Sequence, residues 1–229
     1  MVFDEIDMED LIDEEDCIIT ITHNGYVKRM PVDTYRSQKR GGRGIMGMTT
    51  REEDFVENLF TTSTHDNILF FTTRGYVYKL KGYQIPEAAR QAKGTAIVNL
   101  LPLESGEKVN AMIPIREFEK GNYLTFVTRN GLVKKTDIMD YSRIRNNGLR
   151  AIEIVDGDEL ICVHLTDGDS EIMLITHNGL AIRFKEKDVR ATGRTTRGVK
   201  GITLNRGDYV VGAAVIPEEH SYDNGPHII

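Results

Sequence analysis

Short apolar runs recur along the chain between Cys17 and Ile216, each closed by a polar, glycine-bearing turn. Four of them, CIITIT, NILFFTT, YLTFVT and IMLIT, lead into closely related segments: THNGYVKR (22–29), TTRGYVYK (72–79), TRNGLVKK (128–135) and THNGLAIR (176–183). Each segment sets one glycine (Gly25, Gly75, Gly131 or Gly179) between two β-rich runs, and Asn-Gly in that setting predicts a tight hairpin. The glycines are spaced by 50, 56 and 48 residues, a period that belongs to repeat architectures.

Two further markers recur in step with the hairpins. RGIMGM, KGTAIV, NGLRAI and RGVKGI place Gly44, Gly94, Gly148 and Gly198 at 19, 19, 17 and 19 residues past the hairpin glycine. An apolar strand after an acidic turn then follows: DFVENLFTT, EKVNAMIPI, DELICVHL and DYVVGAAVI. The count is about four strands per repeat and about sixteen in all, which fits blades of a propeller-like array. Helix-period patterning is nearly absent from 17–216, so the chain reads as all-β. The repeats fall at about 17–66, 67–121, 122–169 and 170–216.

The two ends differ from this body. Residues 1–16 form an acidic leader with nine acids and no Lys or Arg. Residues 217–229 form a tail in which Ile228-Ile229 matches the opening Ile18-Ile19 of the first repeat. That match predicts a further, incomplete blade, with its hairpin glycine near position 235.

Net charge is -6, which at first argues against a nucleic-acid partner, but its distribution reverses the reading. The leader and tail hold twelve acids, so the body carries all 29 bases against 23 acids. Between Lys28 and Arg51 seven bases face one acid, Asp33. Asymmetry of this kind, rather than the total, is the electrostatic footprint of a polyanion binder.

The densest cationic stretch is Gln38-Lys39-Arg40-Gly41-Gly42-Arg43-Gly44, in the loop before the second marker glycine. Glycines let backbone approach another surface closely, and arginine forks suit phosphate oxygens. Four positions before the marker glycine stand Arg40, Arg90, Ile144 and Arg194; one position before it stand Arg43, Lys93, Asn147 and Arg197. The third repeat departs from the pattern, but Arg143, Arg145 and Arg150 flank its loop. Cations also follow the hairpins, among them Lys28/Arg29, Lys134/Lys135 and Arg183. Equivalent positions on successive blades would form a curved basic track. Duplex DNA presents one phosphate charge per ~1.7 Å of axis to such a track, and the curve would bend it. There is no Trp and no aromatic–basic interleaving along these loops, which disfavours a single-strand stacking platform. No recognition-helix pattern is visible, so the expectation is backbone contact with little base reading.

Candidate catalytic chemistry is scarce. The six histidines show no ligand spacing, and no Walker loop or Gly-x-Ser-x-Gly is present. His23 and His177 occupy matching turn positions, and Asp156/Asp158 and Asp167/Asp169 sit in glycine-containing turns as turn formers. Cys17 and Cys162, each within an apolar run, read as buried reduced thiols. No apolar run approaches the ~20 residues of a membrane span, and the acidic N-terminus is not a secretory signal.

The heptad QKRGGRG resembles the signature box of the C-terminal domain of the DNA gyrase A subunit. The hairpin and marker repeats over 17–216 resemble that domain's blades. Lys39 stands where Arg is common, keeping the charge without the bidentate fork. The resemblance implies a β-pinwheel, a propeller-like disc with strands exchanged between neighbouring blades, that wraps double-stranded DNA around its rim. It implies a non-catalytic, cytoplasmic, nucleoid-associated module of an ATP-dependent type IIA topoisomerase, working with the rest of its own polypeptide and with the gyrase B protein. ATP and magnesium would act elsewhere in that holoenzyme, with no cofactor here. Gln38 to Gly44 would complete a positive-handed wrap that strand passage converts to negative supercoils. The leader resembles the segment joining the domain to the catalytic core.

Three other readings stand beside it: a protein-interaction propeller with a merely solvated rim, the equivalent domain of topoisomerase IV, and a propeller hydrolase with a central site. A separate reading has the acidic leader competing with DNA for the basic rim.

Overall fold

The computed structural model describes residues 8–32 and 54–217. The heptad 38–44 and the tail from 218 onward lie outside the described residues. The strands are β1 (Asp16–Thr22), β2 (Tyr26–Pro31), β3 (Val56–Ser63), β4 (Asn67–Thr72), β5 (Tyr76–Lys81), β6 (Thr95–Ala96), β7 (Val109–Ile115), β8 (Tyr123–Thr128), β9 (Leu132–Asp137), β10 (Leu149–Arg150), β11 (Leu160–Thr166), β12 (Glu171–Thr176), β13 (Ala181–Lys185), β14 (Val199–Lys200) and β15 (Val210–Ile216). Only short 3-10 turns accompany them among the described residues. The fold is all-β and propeller-like.

The sheets run β3-β1-β2-β6, β10-β5-β4-β7, β11-β8-β9-β14 and β13-β12-β15. Each of the four hairpin signatures forms an antiparallel pair, with its glycine at φ between 77° and 85°, a region that favours glycine. β1, β4 and β8 are buried along nearly their whole length. Strands covered on both faces read as continuous apolar runs rather than as alternation.

The expectation of four strands from each repeat is modified in one respect. The outermost strand of the first three sheets is a two-residue strand from the following repeat: β6 on β2, β10 on β5, β14 on β9. The fourth sheet has three strands among the described residues. Exchange explains the second marker glycine. Gly94 and Gly198, both at φ 89°, lie so close to the receiving hairpin that a Cβ would stand 2.6 Å from the Val27 carbonyl oxygen and 2.5 Å from that of Val133.

The acidic turns have a local role as well. Asp54, Asp158 and Asp208 each accept the backbone N–H at a hairpin tip, from Asn24, Asn130 and Asn178, at 2.9, 2.9 and 3.1 Å. In the second repeat the Thr72 hydroxyl donates to Glu107 at 2.6 Å. Asp167 accepts from Asp169 N, Ser170 N and Ser170 Oγ, a local turn.

The chain divides into two compact units. One comprises Met1–Leu69, Lys79–Leu103 and Pro114–Glu117; the other comprises Phe70–Tyr78, Glu104–Ile113 and Phe118–Ile229. The first contains the sheet β3-β1-β2-β6, with Ile19, Ile21, Val27, Met30 and Ile85 buried. The second contains the last two sheets and a core cluster of Val127, Val133, Ile172, Leu174, Val189, Ile202 and Val210. Cys17 is buried and Cys162 half-buried, both as free thiols. Burial pushes each up to about 11. No helix among the described residues is long and apolar enough to cross a membrane.

Candidate nucleic-acid interface

The structure separates the predicted cations into an exposed set and a buried set. Lys93, Arg145, Arg183 and Arg197 are exposed, and Arg90 and Arg194 are half-buried. Lys28, Lys134 and Lys135 are buried, at 3%, 1% and 6% exposure. The ammonium groups of these three donate to protein carbonyls and are withdrawn from the surface on which the sequence reading placed them. Hairpin spacing gave them cationic character at a repeated position but could not tell that segments of the following repeat cover them on both faces of the strand.

Their partners are specific. Lys28 Nζ donates to the carbonyls of Ala89, Arg90 and Ala92 at 3.3, 2.7 and 2.9 Å. Lys134 Nζ donates to the carbonyls of Ala151 and Arg194, and lies 4.9 Å from the Phe126 ring centroid. Lys135 Nζ donates to the Glu186 carbonyl at 3.1 Å. Arg29 is half-buried, with Nε donating to the Ile85 carbonyl at 3.2 Å and Nη1 3.6 Å from Glu87. Desolvation disfavours a buried ammonium. It lowers the Lys28 pKa, with Arg90 adding to the shift. It takes Lys134 down to about 7, with Asp140 opposing the shift and Arg194 reinforcing it.

The third repeat, which lacks the aligned cations, brings several arginines together. An open cavity of about 730 Å³ is lined by Arg143, Arg145, Arg150 and Arg194, together with Tyr76 and Asp140. Arg194 Nη1 donates to the Arg150 carbonyl at 3.3 Å, which ties the fourth repeat's loop to the third's. Arg143 and Arg150 were visible only as flanking residues; the fold brings them into one concavity with Arg194.

Aromatic–basic interleaving, absent along the sequence, is present in space. Lys93 Nζ lies 3.9 Å from the Tyr26 ring centroid. Arg74 and Arg150 lie 5.6 and 5.5 Å from that of Tyr76. Distances of this order are cation–π contacts. Both tyrosines follow a hairpin glycine directly, a signal that the repeat alignment contained. Arg183 lies against Glu171 across the β12–β13 pair, which offsets its charge. The matching His23 and His177 stack on Phe55 and Tyr209 at 5.0 and 4.7 Å.

The acidic leader also has partners among the described residues. Glu9 pairs with Lys81 at 3.0 Å and Glu14 with Arg116 at 3.1 Å. No group of three or more His, Cys, Asp or Glu that could hold a metal ion is found among the described residues.

The family model described as DNA gyrase C-terminal domain, beta-propeller, matches residues 18–63, 66–116, 122–167 and 170–217. The chain belongs to the DNA gyrase C-terminal domain family. It is similar to the DNA gyrase A subunit of Clostridium acetobutylicum, 58% identical over 197 residues, or 86% of this chain and 24% of that protein. It is 51% identical over 214 residues to the gyrase A subunit of Staphylococcus aureus, covering 93% of this chain and again 24% of the other. The chain thus spans about a quarter of the length of these relatives. Among solved structures, it resembles a C-terminal domain of DNA topoisomerase IV, with TM-score 0.75, 34% identity and coverage of 90% of this chain and 62% of that one. A DNA gyrase A C-terminal domain aligns with TM-score 0.69 at 24% identity, covering 88% of this chain and 65% of that one, a likeness of fold. In this gyrase-family chain Lys93, Arg143, Arg145 and Arg197 are exposed on the loops that precede the exchanged strands.

Proposed function

We propose that this chain is the non-catalytic, duplex-binding part of a gyrase A polypeptide, and that it wraps DNA around a basic track. The cations that face phosphates are Lys93, Arg143, Arg145, Arg150, Arg194 and Arg197, with Arg90 beside them. From their residue types alone, Gln38, Lys39, Arg40, Gly41, Gly42, Arg43 and Gly44 of the heptad add to this set. Arg183, held by Glu171, contributes less than its sequence position implies. The partners are double-stranded DNA, the remainder of the gyrase A polypeptide and the gyrase B protein. Together they form a cytoplasmic, nucleoid-associated holoenzyme, where ATP, magnesium and strand passage belong.

The observation that carries this reading is the convergence of four arginines on one open cavity in a gyrase-family chain. Guanidinium groups match phosphate geometry, and a loop-borne set without a recognition helix favours backbone contact over base reading. The test is binding to random-sequence duplex across a salt series, with linking-number change in a religated circle as the measure of wrapping. Steep salt dependence and little sequence preference are expected. Absent or salt-insensitive binding would favour a protein-interaction module.

The likeness to a topoisomerase IV C-terminal domain supports a second reading, the equivalent domain of that enzyme. The intact heptad favours the gyrase reading. R40A with R43A should reduce the linking-number shift more than it reduces simple binding. Equal loss of both would favour the topoisomerase IV reading.

A further inference from the structure

Three residues after each hairpin glycine stand Lys28, Tyr78, Lys134 and Ile182. In the first and third repeats this side chain reaches under the loop of the following repeat. Lys28 takes three carbonyls of the loop 89–92. Lys134 takes the Arg194 carbonyl of the loop before Gly198, and the Ala151 carbonyl beside β10. The marker glycine seats on the same residue. A Cβ at Gly94 would stand 3.1 Å from the Cβ of Lys28, and one at Gly198 3.0 Å from that of Lys134.

The second repeat supplies the contrast. There the position is Tyr78, and the loop it supports carries Ile144 and Asn147 where the other two carry cations. Gly148 packs against the Tyr78 ring, to which a Cβ would come within 2.6 Å. An uncharged side chain therefore fills this place in the fold. A buried ammonium is retained where the next loop has Arg and Lys or Arg at its aligned positions, despite the desolvation it suffers.

Three N–H donors converging on backbone carbonyls fix a loop by its main chain. They leave the loops' own cations, Lys93 and Arg197 among them, exposed. We propose that Lys28 and Lys134 are positioning residues: each holds, by its backbone carbonyls, the cation-bearing loop of the following repeat, so the spacing of phosphate contacts is set blade by blade. This rests on the duplex-binding reading for its purpose and on the hydrogen-bond geometry for its mechanism.

The experiment uses the full chain and K28M, which keeps length and apolar bulk and removes the donors. Hydrogen exchange of amides 89–94 reads loop order without DNA, and a salt series reads duplex binding. A double-mutant cycle with R90A/K93A links the two. K28M should accelerate exchange at 89–94 while distant strands keep their protection. It should weaken duplex binding about five- to tenfold and flatten the log–log salt slope by about 1 to 2. In the R90A/K93A background it should weaken binding no further. Unchanged exchange at 89–94 overturns the positioning role by itself. Equal weakening in both backgrounds also overturns it, because the effect would not pass through the loop's cations. Accelerated exchange with R90A/K93A leaving duplex affinity intact overturns the duplex-binding reading instead, and the positioning role is then one of loop order alone. Amine acylation of the unmodified chain keeps the proposal testable if K28M fails to fold. Lys28 and Lys134 should react slowly with or without DNA. Fast labelling that duplex suppresses would make them direct contacts and overturn the proposal.

Discussion

Gly198 lies against Val133: a Cβ at this glycine would stand 2.5 Å from the Val133 carbonyl oxygen, and its φ is 89°. The residues are 65 positions apart in sequence, and the approach is what lets β14 add to β9. A conformational requirement and a close packing requirement fall on one residue.

G198A should therefore destabilise the chain by about 2–4 kcal/mol, since strain at positive φ and displacement of a backbone carbonyl act together. Gly207 has a comparable φ of 82° but nothing within 4 Å of a Cβ. G207A should cost only about 1 kcal/mol, from the backbone strain alone. Urea unfolding of the two variants checks the difference, and equal midpoints would rule out close packing as the reason for Gly198.

Lys134 should make stability depend on pH. Its folded pKa, taken down to about 7 from 10.5, means that the unfolded chain binds more protons between those values. The contribution of this group is therefore most favourable above about pH 10.5 and is lost progressively as pH falls to about 7, so unfolding free energy should rise with pH across that window. The groups facing it are Asp140, which opposes the shift, and Arg194, which deepens it, with the Tyr141 hydroxyl 3.5 Å away. Denaturant melts of the unmodified chain and K134M should diverge with pH. Parallel pH profiles would show that the ammonium is not desolvated.

The thiols should be unreactive in the folded chain. With Cys17 and Cys162 both pushed up to about 11 by burial, little thiolate exists at about pH 8. A disulfide-exchange reagent should label both within minutes in denaturant, and neither at a comparable rate without it. Rapid labelling of native Cys17 would contradict its burial.

The arginine-lined cavity should dominate the salt dependence among the described residues. R143A/R145A/R150A should flatten the slope of log K against log salt by about 3, at about 0.9 for each phosphate no longer neutralised. R183A, whose guanidinium already lies against Glu171, should change the slope by less than about 0.5. Equal effects would mean that charge number, not placement, governs binding.

Much of the architecture was legible in the chain. Hairpin glycines, acidic turns and marker glycines recur because each meets a local demand: a positive φ, an acceptor for a turn N–H, or a position without a Cβ. Each demand falls on one residue type at one place in the repeat, so it leaves a periodic trace even where the partner is about 30 or 65 positions away. The same repetition carried the family resemblance and the excess of cations before the marker glycines.

What the sequence could not supply was the destination of each side chain. Lys135 aligns with Arg183, and Lys28 and Lys134 stand one position earlier in their repeats, yet the three lysines are buried and Arg183 is exposed; the lysines are covered by segments of the following repeat, whose carbonyls they meet. The convergence of Arg143, Arg145 and Arg150 with Arg194 joins residues up to 51 positions apart. Tyr76 meets Arg150 only because β10 pairs with β5. Local patterning determined the hairpins, the repeat and the sign of the charge. Strand exchange, a pairing between segments whose separation no short-range pattern encodes, decided which cations became supports within the protein and which stayed at the surface, where a polyanion can meet them.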